Sequence, residues 1–120
     1  MKKVTGVLIT LITIAGFNHT ATAQVADTPT PGRQAERMTD VMAERLELND
    51  QQKQKVLVLN RGLAKKKEDL LENEELDYWD RMEKVKEIPA TRAEKLQSIL
   101  NDQQYLKYQT LKNRKRQDNQ

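Results

Sequence analysis

The side chains able to do chemistry in this sequence are few, and they are not grouped for it. Cysteine is absent, the one histidine is His19, and the one serine is Ser98. His19 falls inside an N-terminal leader. The exported chain is therefore expected to have no imidazole to activate Ser98, no thiol nucleophile and no ordinary zinc or copper ligand set. Carboxylates are plentiful, with seven between Glu68 and Asp80 and no basic residue among them. That run lacks the loop geometry of a calcium site, and none of its acids lies in an apolar stretch that would raise its pKa. The pattern reads as a non-enzyme with no catalytic residue, no cofactor and no metal.

The leader is read from three features. Lys2 and Lys3 make a basic start, Val4 to Phe17 is a 14-residue mostly apolar run, and Ala21-Thr22-Ala23 is a small-x-small cleavage site. This is the pattern of a secretory signal peptide over residues 1–23, and it falls short of the roughly 20 apolar residues that a membrane span needs. Export with the leader removed, to the periplasm and with no stable membrane anchor, is the expectation. From Gln24 onward, 19 Lys and Arg stand against 18 Asp and Glu, and 32 apolar residues stand against 37 charged ones. So polar a chain cannot build a thick core, and it should form an open helical assembly.

Residues 24–32 form a flexible linker broken by Pro29, Pro31 and Gly32. Beyond it lies a helix-favouring composition of Glu, Lys, Arg, Gln, Leu and Met, so residues 33–116 read as one all-α domain and 117–120 as a frayed end of a basic tail starting at Lys112. Start signals separate the helical pieces. The first runs from Arg33 to Leu46, with Ala35, Met38, Met42 and Leu46 on one face. The second starts at Asn49 and carries Val56, Leu59, Leu63 and Leu70 as a stripe, with Leu57 and Leu71 beside it. After Leu71 the stripe drifts to Leu76, Trp79, Met82 and Val85, which fits either one long helix with a phase slip or two with a soft break near Asn73. Pro89 is expected to end it. Thr91 and Glu94 then read as a capping box opening a short helix with Ala93, Leu96 and Ile99 inward, and Asn101 starts a last helix carrying Tyr105, Leu106, Tyr108 and Leu111.

Leu48-Asn49-Asp50-Gln51-Gln52 and Leu100-Asn101-Asp102-Gln103-Gln104 are identical pentapeptides 52 residues apart. Each reads as an apolar plug, an Asn N-cap and a Gln that reaches back to close a capping box, with an acid at the positive end of the helix dipole. The two caps, far apart in sequence, are expected to act independently. A doubled motif of this kind, in a small exported helical protein, resembles the doubled Leu-Thr-x-x-Gln motif of the Spy/CpxP family, with Asn where that family has Thr. The resemblance covers residues 35–116. It implies four helices in an elongated, cradle-like, antiparallel homodimer. It also implies an envelope-stress protein that binds unfolded or misfolded envelope proteins without ATP. The alternative is a regulatory adaptor that docks on a sensor kinase or another folded envelope partner.

The remaining features mostly have plain readings. Lys65-Lys66-Lys67 followed by Glu68-Asp69 is a solvated helix face with salt-bridging neighbours. The acidic run to Asp80 is a solvated face suited to the basic tail of a partner subunit. Export makes nucleic acid an improbable partner for that tail. Met38, Met42, Trp79 and Met82 are the candidate client or dimer surface, the methionines for their adaptability and the tryptophan as an aromatic anchor. Mass spectrometry of the protein from the cell envelope should find Gln24 as its first residue. An intact Met1 there contradicts the leader.

Overall fold

The computed structural model describes residues 29–119, which form four helices and, among the described residues, no strand. The leader, its cleavage site, linker residues 24–28 and Gln120 lie outside them. The helices are α1 (Pro31–Leu46), α2 (Asp50–Glu72), α3 (Tyr78–Ile99) and α4 (Asp102–Asp118). Helix α1 begins at Pro31, inside the expected linker, because Thr30 caps it through the Arg33 amide and proline is tolerated in a first turn.

A three-residue turn, Glu47 to Asn49, folds α2 back along α1. Thr39 meets Asn60, Glu36 meets Arg61 at 2.6 Å and Asp40 meets Lys53 at 2.9 Å. Both ion pairs are exposed and align the helices more than they stabilise them. Lys65 pairs with Asp69 at 2.9 Å, the neighbour pairing expected of the lysine run. The chain breaks between α2 and α3, which settles the alternative left open by the drifting stripe. Asn73 takes an extended conformation, and Asp77 caps α3 by accepting from the Asp80 amide at 2.8 Å.

Pro89 does not end its helix, contrary to expectation, and α3 runs through it from Tyr78 to Ile99. Proline removes one amide and crowds the carbonyl four residues back, which commonly kinks or stops a helix. Here Ile88 and Leu96, buried on either side of Pro89, hold the helix against α2. Thr91 accordingly is no N-cap. Its hydroxyl donates to the Glu87 carbonyl one turn back, so Thr91 and Glu94 form no capping box. The basic end is also more ordered than expected, because α4 continues through Lys112–Arg116 to Asp118.

The core is small and lies at one end. Met42, Leu46, Val56, Leu96 and Leu100 form its buried cluster, with Leu48, Leu59, Ile99, Tyr105, Tyr108 and Leu111 packed against it. No residue of α4 is buried, and Leu106 is exposed.

Three polar side chains run across the helices above this cluster. The Thr39 hydroxyl donates to the Ala35 carbonyl and accepts from the Asn60 amide nitrogen at 3.0 Å. Asn60 Oδ1 in turn accepts from Arg92 Nε at 3.2 Å. Thr39 and Asn60 are each 1% exposed, so they fix which faces of α1, α2 and α3 meet. Asn60→Ala leaves a buried hydroxyl and a half-buried guanidinium without their partner. It should lower stability by about 1–3 kcal/mol in urea unfolding. A change below about 0.5 kcal/mol shows that water replaces the side chain.

Candidate functional site

Both repeated pentapeptides cap helices. Asn49 accepts from the Gln52 amide at 2.8 Å, and the Asn49 amide donates to Gln52 Oε1 at 3.1 Å. Asn101 and Gln104 repeat this at 2.8 and 3.0 Å. Thus α2 and α4 start with the same complete capping box.

The two boxes are also joined, so the expectation that they act independently does not hold. Gln52 Nε2 donates to Gln104 Oε1 at 2.7 Å, and Gln104 Nε2 donates to Gln52 Oε1 at 3.0 Å. The remaining donor of each amide goes to the end of the helix preceding the other copy. Gln52 Nε2 reaches the Ile99 carbonyl at 3.3 Å, at the end of α3. Gln104 Nε2 reaches the carbonyls of Leu46 and Glu47 at 3.3 and 3.4 Å, at the end of α1. A glutamine amide has two donor hydrogens and two acceptor lone pairs, and here all are used. Four helix ends meet at this node, two starting and two stopping. Leu100 is buried and Leu48 partly so beneath it.

The two copies differ in how the chain arrives. Glu47 sits at φ 54°, in the left-handed region, and the Leu48 amide returns to the Ala43 carbonyl at 3.0 Å. At the second copy α3 runs to Ile99 and Leu100 is simply extended.

Beside the node, α4 stands off from α1 and α3 and leaves a groove of about 590 Å³. Met38, Val41, Met42, Leu46 and Leu111 give it an apolar floor. Arg45, Arg92, Lys112, Arg114, Lys115 and Arg116 make a basic rim, against which Asp118 is the one lining acid. Arg92 is the exceptional member, since its guanidinium is held by Asn60 and half-buried, and like the other rim cations it has no carboxylate partner among the described residues. Burial pulls its pKa below the usual arginine value, and the nearby Tyr108 hydroxyl is pushed up by its own burial. Arginine nonetheless stays protonated at any physiological pH, so the groove holds a half-buried charge without a counter-charge.

The four candidate surface residues do not form one surface. Met38 and Met42 line the groove, Met42 with its body in the core. Trp79 and Met82 sit at the other end, on the first turns of α3. Trp79 is 77% exposed and packs edge-on against Tyr78 at 5.3 Å, whereas Met82 is half-buried. Trp79 lies outside the buried cluster, because the α2–α3 turn reaches past the start of α1. Sequence reasoning missed Thr39, Asn60 and Arg92, although each interrupts an apolar stripe at helical spacing: 35-39-42, 56-60-63 and 88-92-96. Among the described residues no cluster of metal-ligand side chains forms, and no helix is long and apolar enough to cross a membrane.

A family model described as a domain of unknown function, DUF4890, matches residues 18–108. The chain belongs to the DUF4890 family. No curated protein and no solved structure matches it. The DUF4890 match takes in both pentapeptides and the whole node but stops before the basic rim from Lys112 to Arg116.

The node makes the two glutamines a coupled pair. Gln52→Ala and Gln104→Ala should each cost about 1–3 kcal/mol, and the double variant should cost less than their sum by about 0.5 kcal/mol or more. Either single change already orphans the other amide. Additive losses in urea unfolding would show two independent caps. Asn49→Thr and Asn101→Thr should be nearly neutral, since threonine caps by the same bond.

Proposed function

We infer that the chain is an exported, ATP-independent chaperone of the Spy/CpxP type, serving envelope stress in the periplasm. The observation that carries this reading is the groove between α1, α3 and α4. Its apolar floor is shallow and open, and its rim bears six cations. A charged rim draws a chain in from a distance, and shallow apolar contacts hold it without locking it. Met38 and Met42 suit a varied client, because unbranched thioether side chains repack around different partners. Holding of this kind needs no nucleotide, and a periplasmic protein has none to use.

Two further features support the reading. The doubled pentapeptide caps two helices in the way the doubled Leu-Thr-x-x-Gln motif implies, with asparagine doing the work of threonine. The fold is four helices with a thin core, which leaves apolar surface for a second molecule. A homodimer is part of the proposal for the same reason. No constellation of residues argues for catalysis.

The test is suppression of aggregation. The purified protein, at stoichiometric ratio, should keep a chemically unfolded substrate protein soluble on dilution, and 0.5 M salt should weaken the effect by screening the rim. Met38→Asp with Val41→Asp changes two exposed floor residues. It should abolish suppression while leaving the melting temperature within a few degrees. Full suppression by that variant would remove the groove from the mechanism. No suppression by the parent, with one folded envelope protein captured stoichiometrically, would favour the regulatory adaptor.

A further inference from the structure

The α2–α3 turn presents a shape that the described residues leave exposed. Tyr78 is 58% exposed, Trp79 77% and Leu71 43%, all at one tip. The surrounding segment from Glu68 to Asp80 holds seven carboxylates and no basic residue. One cation enters the tip, Arg81, whose guanidinium donates to the Leu71 and Asp77 carbonyls, and the seven carboxylates outnumber it around the exposed tryptophan and tyrosine. The groove is its complement in every respect. It is concave where the tip is convex, its floor is apolar, and its rim carries six cations against one acid.

A chain cannot place its own tip in its own groove. Arg92 and Tyr78 lie on the same helix, α3, 14 residues apart. At 1.5 Å per residue that is about 21 Å of rigid helix between knob and groove. The tip can reach only the groove of another copy.

We propose that two copies associate reciprocally, each seating the Tyr78–Trp79 tip in the other's groove, with the Glu68–Asp80 carboxylates against the partner's basic rim. Both surfaces of both copies are then used, so the assembly closes as a two-fold dimer and does not grow into a fibre. The half-buried guanidinium of Arg92 then gains a counter-charge that no described residue of its own chain supplies. Because the groove is also the surface assigned above to clients, a client and a second copy compete for it. Self-docking requires the groove but no client, so either reading can fail without the other.

Trp79 is the one tryptophan of the chain, which makes it a direct reporter. Diluting the purified protein should shift its emission to the red and increase quenching by acrylamide, in step with dissociation seen by sedimentation. Trp79→Ala should weaken the dimer by roughly tenfold or more, as loss of an aromatic anchor does.

The decisive test is a charge exchange. Glu74→Lys with Glu75→Lys reverses the tip, and Arg114→Glu with Arg116→Glu reverses the rim. All four residues are exposed, so helix content by circular dichroism should be unchanged. Each variant alone should be mainly monomeric at a concentration where the parent is a dimer. Mixed in equal amounts they should dimerise again, because both contacts of the mixed pair bring opposite charges together. A parent that stays monomeric at every concentration overturns the proposal. So does a dimer indifferent to Trp79→Ala and to both reversals, which places the contact elsewhere. A monomer whose groove takes up dodecanoate overturns it too, and assigns the groove to anionic amphiphiles.

Discussion

Two glutamine side chains, 52 residues apart in sequence, hold the architecture together. A helix leaves amides unsatisfied where it starts and carbonyls unsatisfied where it stops. Four such ends come together where α1 gives way to α2 and α3 to α4. Gln52 and Gln104 satisfy both kinds at once, each closing its own capping box, pairing with the other amide and reaching a carbonyl at the end of the opposite helix. The chain has little apolar surface with which to impose an arrangement by packing alone. A directional network with no spare donor or acceptor supplies the specificity that a larger core would otherwise provide.

From this constraint the rest of the shape follows. The buried cluster sits under the node, so α1, α2 and α3 are firmly packed there and thinly packed at the far tip. Helix α4 is fastened at its start by the second capping box and, over its first three turns, by Tyr105, Tyr108 and Leu111, none of which is fully buried. Anchored at one end and loosely packed along its length, it stands away from α1 and α3, and the groove is the space left. The basic residues that keep α4 soluble become the groove's rim. Near-neutral overall charge hides this polarity, with acids collected at the α2–α3 turn and cations around the groove. Charge at opposite ends of one rigid body steers association in a way that net charge does not reveal.

Much of this was legible in the sequence, because it rests on local rules. Asn and Gln at cap spacing mark the starts of α2 and α4 whatever surrounds them. The drift of the stripe after Leu71 correctly located a possible break, and Asp77, a cap residue, decides it. What could not be read depends on neighbours in space. Pro89 looked like a stop, yet burial of Ile88 and Leu96 against α2 keeps α3 continuous. Thr39, Asn60 and Arg92 were not singled out by the sequence. They lie in the apolar stripes because each is another's partner, and a pattern of single residues does not show pairs. The sequence marks Trp79 as part of a client or dimer surface, but the degree of its exposure was not legible there, since aromatics of that size are usually buried. Its helix starts beyond the reach of α1, so among the described residues only Tyr78 makes a ring contact with it.

These two groups lead to the same physical point. A polar residue in an apolar stripe and an apolar residue in a polar setting both signal a partner outside the local pattern. For Asn60 that partner is within the chain, and the three-member relay is closed except at the guanidinium of Arg92. For Trp79 no partner exists among the described residues beyond Tyr78. The open end of the relay lies in the groove, and the unpartnered aromatic lies at the tip of opposite charge. Burying a charge is costly unless a counter-charge or hydrogen bonds meet it. An arginine kept half-buried beside an apolar floor is thus placed to discriminate among occupants. It favours those that bring carboxylates with their apolar side chains and disfavours those that bring cations. In the proposed docking, Arg92 is the groove's selecting charge, and Asn60, itself bonded to Thr39, holds that guanidinium in position.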